Sequence, residues 1–337
     1  MTSSSSLSDV VRDAGLTFDQ MVPRGLVHKR AIEEVLLCDY KQLGPNEYLV
    51  AAQLPRCHSY FSDVCLPYYD FTALGEVMRQ SGLLTGHCFH DVPPGTHYIF
   101  RKVSGKNERE DVETMRIGDT PTDLLVHYSV RNLRLRRNRL TSFEAFGQMY
   151  ANGAYVGSGY GFCQLLPPDS YGAMRDMMRD PEGAADRTTE SPDPVSVEPL
   201  DPVMVGRRDV RNVVIGAFAS GDTPDTYTAG LVIRPDHRVF FDHPQDHVPG
   251  PLLIEAIRQQ ALRAACVHHN LHSEKVYIAK VDIEFSSFLE LDAPTAVTAK
   301  VGALRRSPDG GELTVTLTIG QSGTIAAESA LTVIALD

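Results

Sequence analysis

Between Pro251 and Val267 apolar side chains occupy positions 252, 253, 254, 256, 257, 261, 262, 264 and 265. They cover most of a helical circumference, and a helix that is apolar nearly all round has to be enclosed by other structure. The pattern therefore predicts a buried helix over about 250–267, and a similar one over about 71–86. Two strands are expected ahead of each helix: about 32–40 and 47–54 for the first, about 210–218 and 226–234 for the second. The polar turns Gly44-Pro45-Asn46-Glu47 and Ser220-Gly221-Asp222-Thr223-Pro224-Asp225 separate them. A loop with aromatic and His residues leads into each helix and several strands follow it. The last two strands of each set meet at Asn152-Gly153 and Ser322-Gly323, both suited to tight hairpins.

The two sets are copies. Val27, Arg30, Ile32, Val35 and Leu36 recur as Val205, Arg208, Val210, Val213 and Val214, an offset of 178. Pro55, Tyr60 and Phe61 recur as Pro235, Phe240 and Phe241 at 180, and Glu76, Arg79 and Gln80 as Glu255, Arg258 and Gln259 at 179. Three blocks in one order at nearly one offset indicate an internal duplication. One enclosed helix wrapped by a curved, mainly antiparallel sheet is the hotdog arrangement. The expected fold class is thus α+β, a double hotdog in which two tandem domains pair edge to edge as a pseudo-dimer and cover each other's open edges. The boundaries read as a loose N-terminal tail over 1–19, a first domain over 20–166, a linker over 167–204 and a second domain over 205–337. Within the linker, 167–180 has the pattern of a short amphipathic helix. The Pro-, Asp-, Glu- and Ser-rich remainder is too polar to bury and reads as flexible.

Composition narrows the function. With 32 Lys and Arg against 43 Asp and Glu, the net charge is -11, which offers no general footprint for nucleic acid. An anionic small ligand needs only a few local Arg residues and stays open. The polar N-terminus lacks the plan of a secretory signal, and no apolar run is long enough to span a membrane. Six scattered cysteines without CxxC pairs read as reduced thiols. Together these predict a cytoplasmic protein without a disulfide framework. His268, His269 and His272 lack an HExxH context and suit the negative end of a helix, so no metal is expected.

The richest segment is Phe240–Ala261, FFDHPQDHVPGPLLIEAIRQQA. Free N–H groups at a helix start near Gly250 can polarise a thioester carbonyl. Glu255 follows one and a half turns later on an apolar helix, where burial is expected to favour its neutral form and suit it to proton transfer. The core Pro249-Gly250-x4-Glu255-Ala256-x2-Gln259 is similar to the helix start of 3-hydroxyacyl-carrier-protein dehydratases. Those enzymes place His where this chain has Asp242; here the histidines are His243 and His247.

Over about 20–165 and 205–335 the chain more closely resembles the A-factor biosynthesis hotdog family. The resemblance is carried by VPRGLVHKRAIEEVLL, by RCHSYFSD with GEVMRQSGLL, and by FDHPQDHVPGPLLIEAIRQQA. It implies an acyltransferase that joins a 3-oxoacyl thioester, on a carrier protein or CoA, to dihydroxyacetone phosphate. The product closes to a butenolide phosphate, precursor of a signalling molecule, with no metal or other cofactor. On that reading Glu255 with His243 or His247 activates the hydroxyl, and the Gly250 amide region holds the oxyanion. Arg258 and Arg79 bind phosphate, since Arg suits bidentate oxyanion contacts. Glu76 is either a second catalytic carboxylate or the partner of Arg79. Gln259 and Gln80, which recur with them, and the loop residue His58 complete the substrate-side set. The run Arg131–Leu140, with five Arg on an expected strand, is either a solvated face or a contact for an acidic acyl carrier protein or for the phosphopantetheine phosphate. A thioesterase or dehydratase acting on 3-hydroxyacyl thioesters, or a non-catalytic acyl or lactone receptor, are the competing functions.

Overall fold

The computed structural model describes residues 15–107, 109–179, 197–307 and 310–336. In the first half, β1 (Leu37–Gly44) and β2 (Glu47–Leu54) precede the helix α1 (Phe71–Phe89). Then come β3 (His97–Lys106), β4 (Thr122–Arg136), β5 (Arg139–Ala151) and β6 (Ala154–Leu166), followed by helix α2 (Pro168–Arg179). The second half repeats the plan with β7 (Ile215–Ser220), β8 (Thr226–Leu231), helix α3 (Gly250–His269) and β9 (Val276–Phe285). It ends with β10 (Thr295–Val301), a short β11 (Arg305–Ser307), β12 (Gly310–Gln321) and β13 (Thr324–Ala335).

All the strands join one antiparallel sheet of order β1-β2-β4-β5-β6-β3-β9-β13-β12-β10-β8-β7, with β11 on the side of β12. Read from either end, the order is the same set of equivalent strands, as a pseudo-dimer requires. The seam is β3 against β9, from Lys102 opposite Glu284 to Lys106 opposite Lys280. Each half thereby covers the inner sheet edge of the other, and β1 and β7 remain the outer edges. Lys102 pairs with Glu284 at 2.7 Å and Asp282 at 3.2 Å across it.

Both long helices are enclosed. Leu74, Val77 and Leu84 of α1 and Leu252, Ala256, Ile257 and Ala261 of α3 are almost fully buried in the same core as the inward faces of the strands. The Asp70 carboxylate caps α1 by accepting from the Thr72 amide, while Asn270, in the left-handed region, ends α3. The two hairpins fall at the expected Asn152-Gly153 and Ser322-Gly323, with positive φ at all four residues, as a type I′ turn demands.

Two expectations change. Residues 32–34 and 210–212 are single 3-10 turns, and the strands begin only at Leu37 and Ile215. The cause is local: the Gln80 amide donates to the Glu34 carbonyl and accepts from the Leu36 amide, and Gln259 does the same to Asn212 and Val214. A backbone held by a helix side chain is not free to join a ladder. The arginine run is two strands, the end of β4 and the start of β5, turning through Arg137 and Asn138 at positive φ. The helix expected in the first part of the linker is present as α2; residues 180–196 and 1–14 lie outside the described residues.

Candidate active site

The repeated Glu-x-x-Arg-Gln of each helix builds a carboxylate hub, and the two hubs differ. Glu255 on α3 is completely buried. Arg207 and Arg258 each grip it with two hydrogen bonds of 2.7–2.9 Å. Gln259 donates at 2.6 Å and the Tyr60 hydroxyl, from the other half of the molecule, at 2.9 Å. The rest of Arg207 is used up by the carbonyls of Tyr60 and Asp63, with its guanidinium 4.4 Å from the centre of the Tyr60 ring. Arg258 also donates to the Val205 carbonyl. Burial opposes charge on Glu255, but Arg207 and Arg258 outweigh it and hold the carboxyl far below its usual range. The expectation of a neutral, proton-donating Glu255 is therefore corrected: it is an ionised carboxylate with its acceptor sites occupied. Arg258, expected to face a phosphate, is committed inward at 5% side-chain exposure.

The hub on α1 is looser. Arg79 binds Glu76 through two hydrogen bonds of 2.8 Å and Gln80 donates at 2.8 Å, so Glu76 is the partner of Arg79. Where α3 meets Arg207, α1 meets Lys29, whose ammonium lies 3.1 Å from Glu76 and 3.6 Å from Glu34. Burial again opposes charge on Glu76, and Arg79 and Lys29 pull its pKa down. The decisive difference is access, because the Arg79 side chain keeps 25% of its surface exposed. His58 orients its own loop: its Nδ1 accepts from the Tyr60 and Phe61 amides, and its Nε2 faces Glu34 at 3.4 Å.

Beside the α1 hub lies a histidine chain. His87 sits against the Val92 carbonyl through Nδ1 at 2.8 Å, so that nitrogen carries the proton and its Nε2 accepts. His28 Nε2, 2.8 Å from His87 Nε2, must then be the donor, which leaves His28 Nδ1 as a bare lone pair. Burial, with His87, Arg79, His243 and His97 nearby, lowers the His28 pKa to about 4 and keeps the ring neutral at physiological pH. His28 also occupies the left-handed region at φ 54°, where its counterpart one repeat later is Gly206 at φ 72°. A non-glycine residue held there is strained, and such strain concentrates at functional positions.

The second half contributes the loop before α3. Asp242 accepts from the Arg30 and Ala31 amides directly after His28 and Lys29, and Asp63 accepts from those of Arg208 and Asp209 in return. Each half thus pins the other's hub loop. Asp242 carries His243, 43% exposed, at 3.5 Å, and Gln245 lies 2.7 Å from His243 Nε2. His247 is oriented through Nδ1 by Asp246 at 2.7 Å. Helix α2 secures that arrangement: Tyr171 stacks on His97 at 3.8 Å and donates to Asp246, while Arg175 binds Asp246 and Glu290. Gly250 closes the loop as the first residue of α3, with no atom within 4 Å of where a side chain would begin.

The structure thus brings Arg79, Glu76, Gln80, His243 and His247 toward the α1 side and shuts Glu255, Arg258 and Gln259 into a separate core. Sequence reasoning passed over His28, Lys29, His87, His97, Tyr171 and Arg207. The signal for His28 was available, since it stands opposite Gly206 in the repeat.

Among known proteins, the family described as the A-factor biosynthesis hotdog domain matches residues 13–166 and 188–337. A 2-oxo-3-(phosphooxy)propyl 3-oxoalkanoate synthase of Streptomyces virginiae is 31% identical over 83% of this chain and 87% of its own. A protein of the same name from Streptomyces coelicolor is 25% identical over 90% of this chain and 88% of its own. In structure, an oleoyl thioesterase of Lactobacillus plantarum superimposes with a TM-score of 0.51 at 15% identity, over 88% of this chain and 98% of its own, a likeness of fold alone. Both halves match and the similarity runs through nearly all of the described chain, so the protein belongs to the A-factor biosynthesis hotdog family.

Proposed function

We propose that this protein is an acyltransferase that moves a 3-oxoacyl group from a thioester to the free hydroxyl of dihydroxyacetone phosphate. The relatives' name describes that product, an ester of a 3-oxoalkanoate with a phosphorylated three-carbon ketone. The observation that carries the reading is the α1 half-site, where partly exposed Arg79 lies near the neutral His28 with its free Nδ1.

Arg79 binds the phosphate through the guanidinium edge not engaged by Glu76, while Lys29, buried between Glu76 and Glu34, holds the hub. His28 Nδ1 accepts the hydroxyl proton as the alkoxide oxygen adds to the thioester carbonyl. The amide of Gly250, unpaired as the first of a helix, stabilises the oxyanion. The C–S bond then breaks, the thiolate leaves and takes a proton, and the new C–O bond is the ester. His243 and His247 line the acyl side, Gln80 and Gln259 hold the hub loops, and His58 shapes the loop from which Tyr60 reaches Glu255. The acidic methylene of the bound 3-oxoacyl ester is positioned to attack the ketone of the same molecule, and loss of water gives the butenolide phosphate.

A hydrolase or dehydratase would not require the partly open Arg79. The test is mass spectrometry of the protein with a 3-oxoacyl N-acetylcysteamine thioester, with and without dihydroxyacetone phosphate. An acyl ester phosphate or its dehydrated product, formed only with the second substrate and lost in His28→Gln, supports the transferase. Thioester loss without it points to hydrolysis. A protein that binds a lactone tightly and turns over neither substrate is a receptor.

A further inference from the structure

The β4–β5 hairpin carries Arg131, Arg134, Arg136, Arg137 and Arg139 with no acidic residue between them, in a chain whose net charge is -11. All five are exposed, and among the described residues none of their guanidinium groups forms an ion pair. Arg131 has Glu144 opposite it on β5, yet its guanidinium covers the Phe146 ring at 4.7 Å. Leu135, between Arg134 and Arg136, is 67% exposed. An exposed leucine flanked by unpaired arginines suits an acidic amphipathic partner surface.

The molecule contains its own control. The equivalent hairpin of the second half, β10 to β12, is interrupted by β11, and the sequence from 302 to 312 balances two Arg (305 and 306) with two acidic residues (309 and 312). It carries no net charge. The basic hairpin thus belongs to the half whose arginine stays accessible. It also sits at the same end of that half. Ser142 of β5 pairs with Gln164 of β6, and Leu166 of β6 pairs with His97 of β3. Continuing the register sets Leu140, at the hairpin base, level with Leu166 and two strands from His97, about 10 Å at normal strand spacing. His97 in turn contacts Tyr171, which orients the loop of His243 and His247.

We propose that the Arg131–Leu140 hairpin is the docking surface for an acidic acyl carrier protein that presents the 3-oxoacyl thioester to the α1 half-site. This rests on the acyltransferase reading and adds the surface on which the thioester's carrier lies. A carrier protein supplies an acidic helix surface for the arginines and a tethered thioester for the nearby site. Coenzyme A would supply only its own phosphates.

The experiment compares one 3-oxoacyl group on an acidic bacterial acyl carrier protein, on coenzyme A and on N-acetylcysteamine, with the parent protein and with Arg134→Glu/Arg136→Glu/Arg139→Glu. The expected result is a KM at least tenfold higher for the carrier-bound substrate, with the other two turned over at the parent rate. Equal losses with the carrier and coenzyme A assign the arginines to phosphate contact and overturn the proposal, as does an equal loss with all three or no change with any. If the parent turns over no thioester the acyltransferase reading fails, and docking is read separately from the fluorescence anisotropy of the labelled carrier at low salt. Binding that the triple variant weakens tenfold or more upholds the surface, and absent or unaltered binding overturns it.

Discussion

Glu255 and Glu76 stand at the same position of two copies of one helix, hold the same Arg and Gln, and end in opposite conditions. Around Glu255 every donor is close, every arginine is spent, and a tyrosine from the other half seals the top. Around Glu76 a lysine replaces the second arginine at longer range, and the one arginine keeps a face open. A buried ion network whose partners are all satisfied tolerates no loss of one member, whereas an open one can exchange a partner for a ligand. The comparison separates a clamp between the halves from a place where chemistry is possible, although the motif is shared.

The largest expected effect is at the clamp. Glu255→Leu strands Arg207 and Arg258 in the core, and a loss of about 3–5 kcal/mol is expected from breaking a buried pair. Chemical denaturation would show it, and a variant as stable as the parent would mean that Glu255 is not the clamp. At the open side the expected damage is to rate. His28→Gln should lower kcat by about 10²–10⁴, the usual worth of a positioned base. His28→Gly should lose as much rate while unfolding no more readily than the parent, because glycine accepts the left-handed backbone without strain. Equal losses of rate and stability would make His28 a structural residue. Arg79→Lys keeps the charge but loses the planar fork; KM for dihydroxyacetone phosphate should rise about tenfold, roughly 1.4 kcal/mol, with the thioester KM unchanged.

The smallest effect is in pH. Burial lowers the pKa of His28, and of His237, to about 4, below the ordinary 6.5. The unfolded chain therefore takes up these protons first, and stability present above about pH 6.5 is lost as the pH falls from there toward 4. Denaturation midpoints at pH 7.5 and 5 should differ, and His28→Gln should remove about one proton from that dependence. An undiminished slope in the variant would place the titration elsewhere.

The duplication, both long helices and the two Gly-containing hairpins were legible because they rest on period, offset and turn chemistry, which a sequence carries locally. The starts of β1 and β7 were not, since Ile32–Leu36 and Val210–Val214 are apolar and β-branched enough for strands. Only the helix glutamines, more than 40 residues away in sequence, claim their backbone. The arginine hairpin was hidden because its turn is Arg137-Asn138, without the glycine that usually marks one. At the site the motif located both hubs but could not rank them. Whether an arginine faces inward depends on Lys29 or Arg207 arriving from another segment, and on which tyrosine or phenylalanine the opposite half provides.

The seam between β3 and β9 has a consequence for how such a protein can change over generations. In a dimer of identical chains every mutation is made twice, so a histidine forced into a left-handed turn would strain both copies, and any gain at one site would be repeated at the other whether useful or harmful. With the two halves on one chain, position 28 can become histidine while position 206 stays glycine, and one hub can harden while its twin remains adjustable. Joining the halves makes asymmetry heritable.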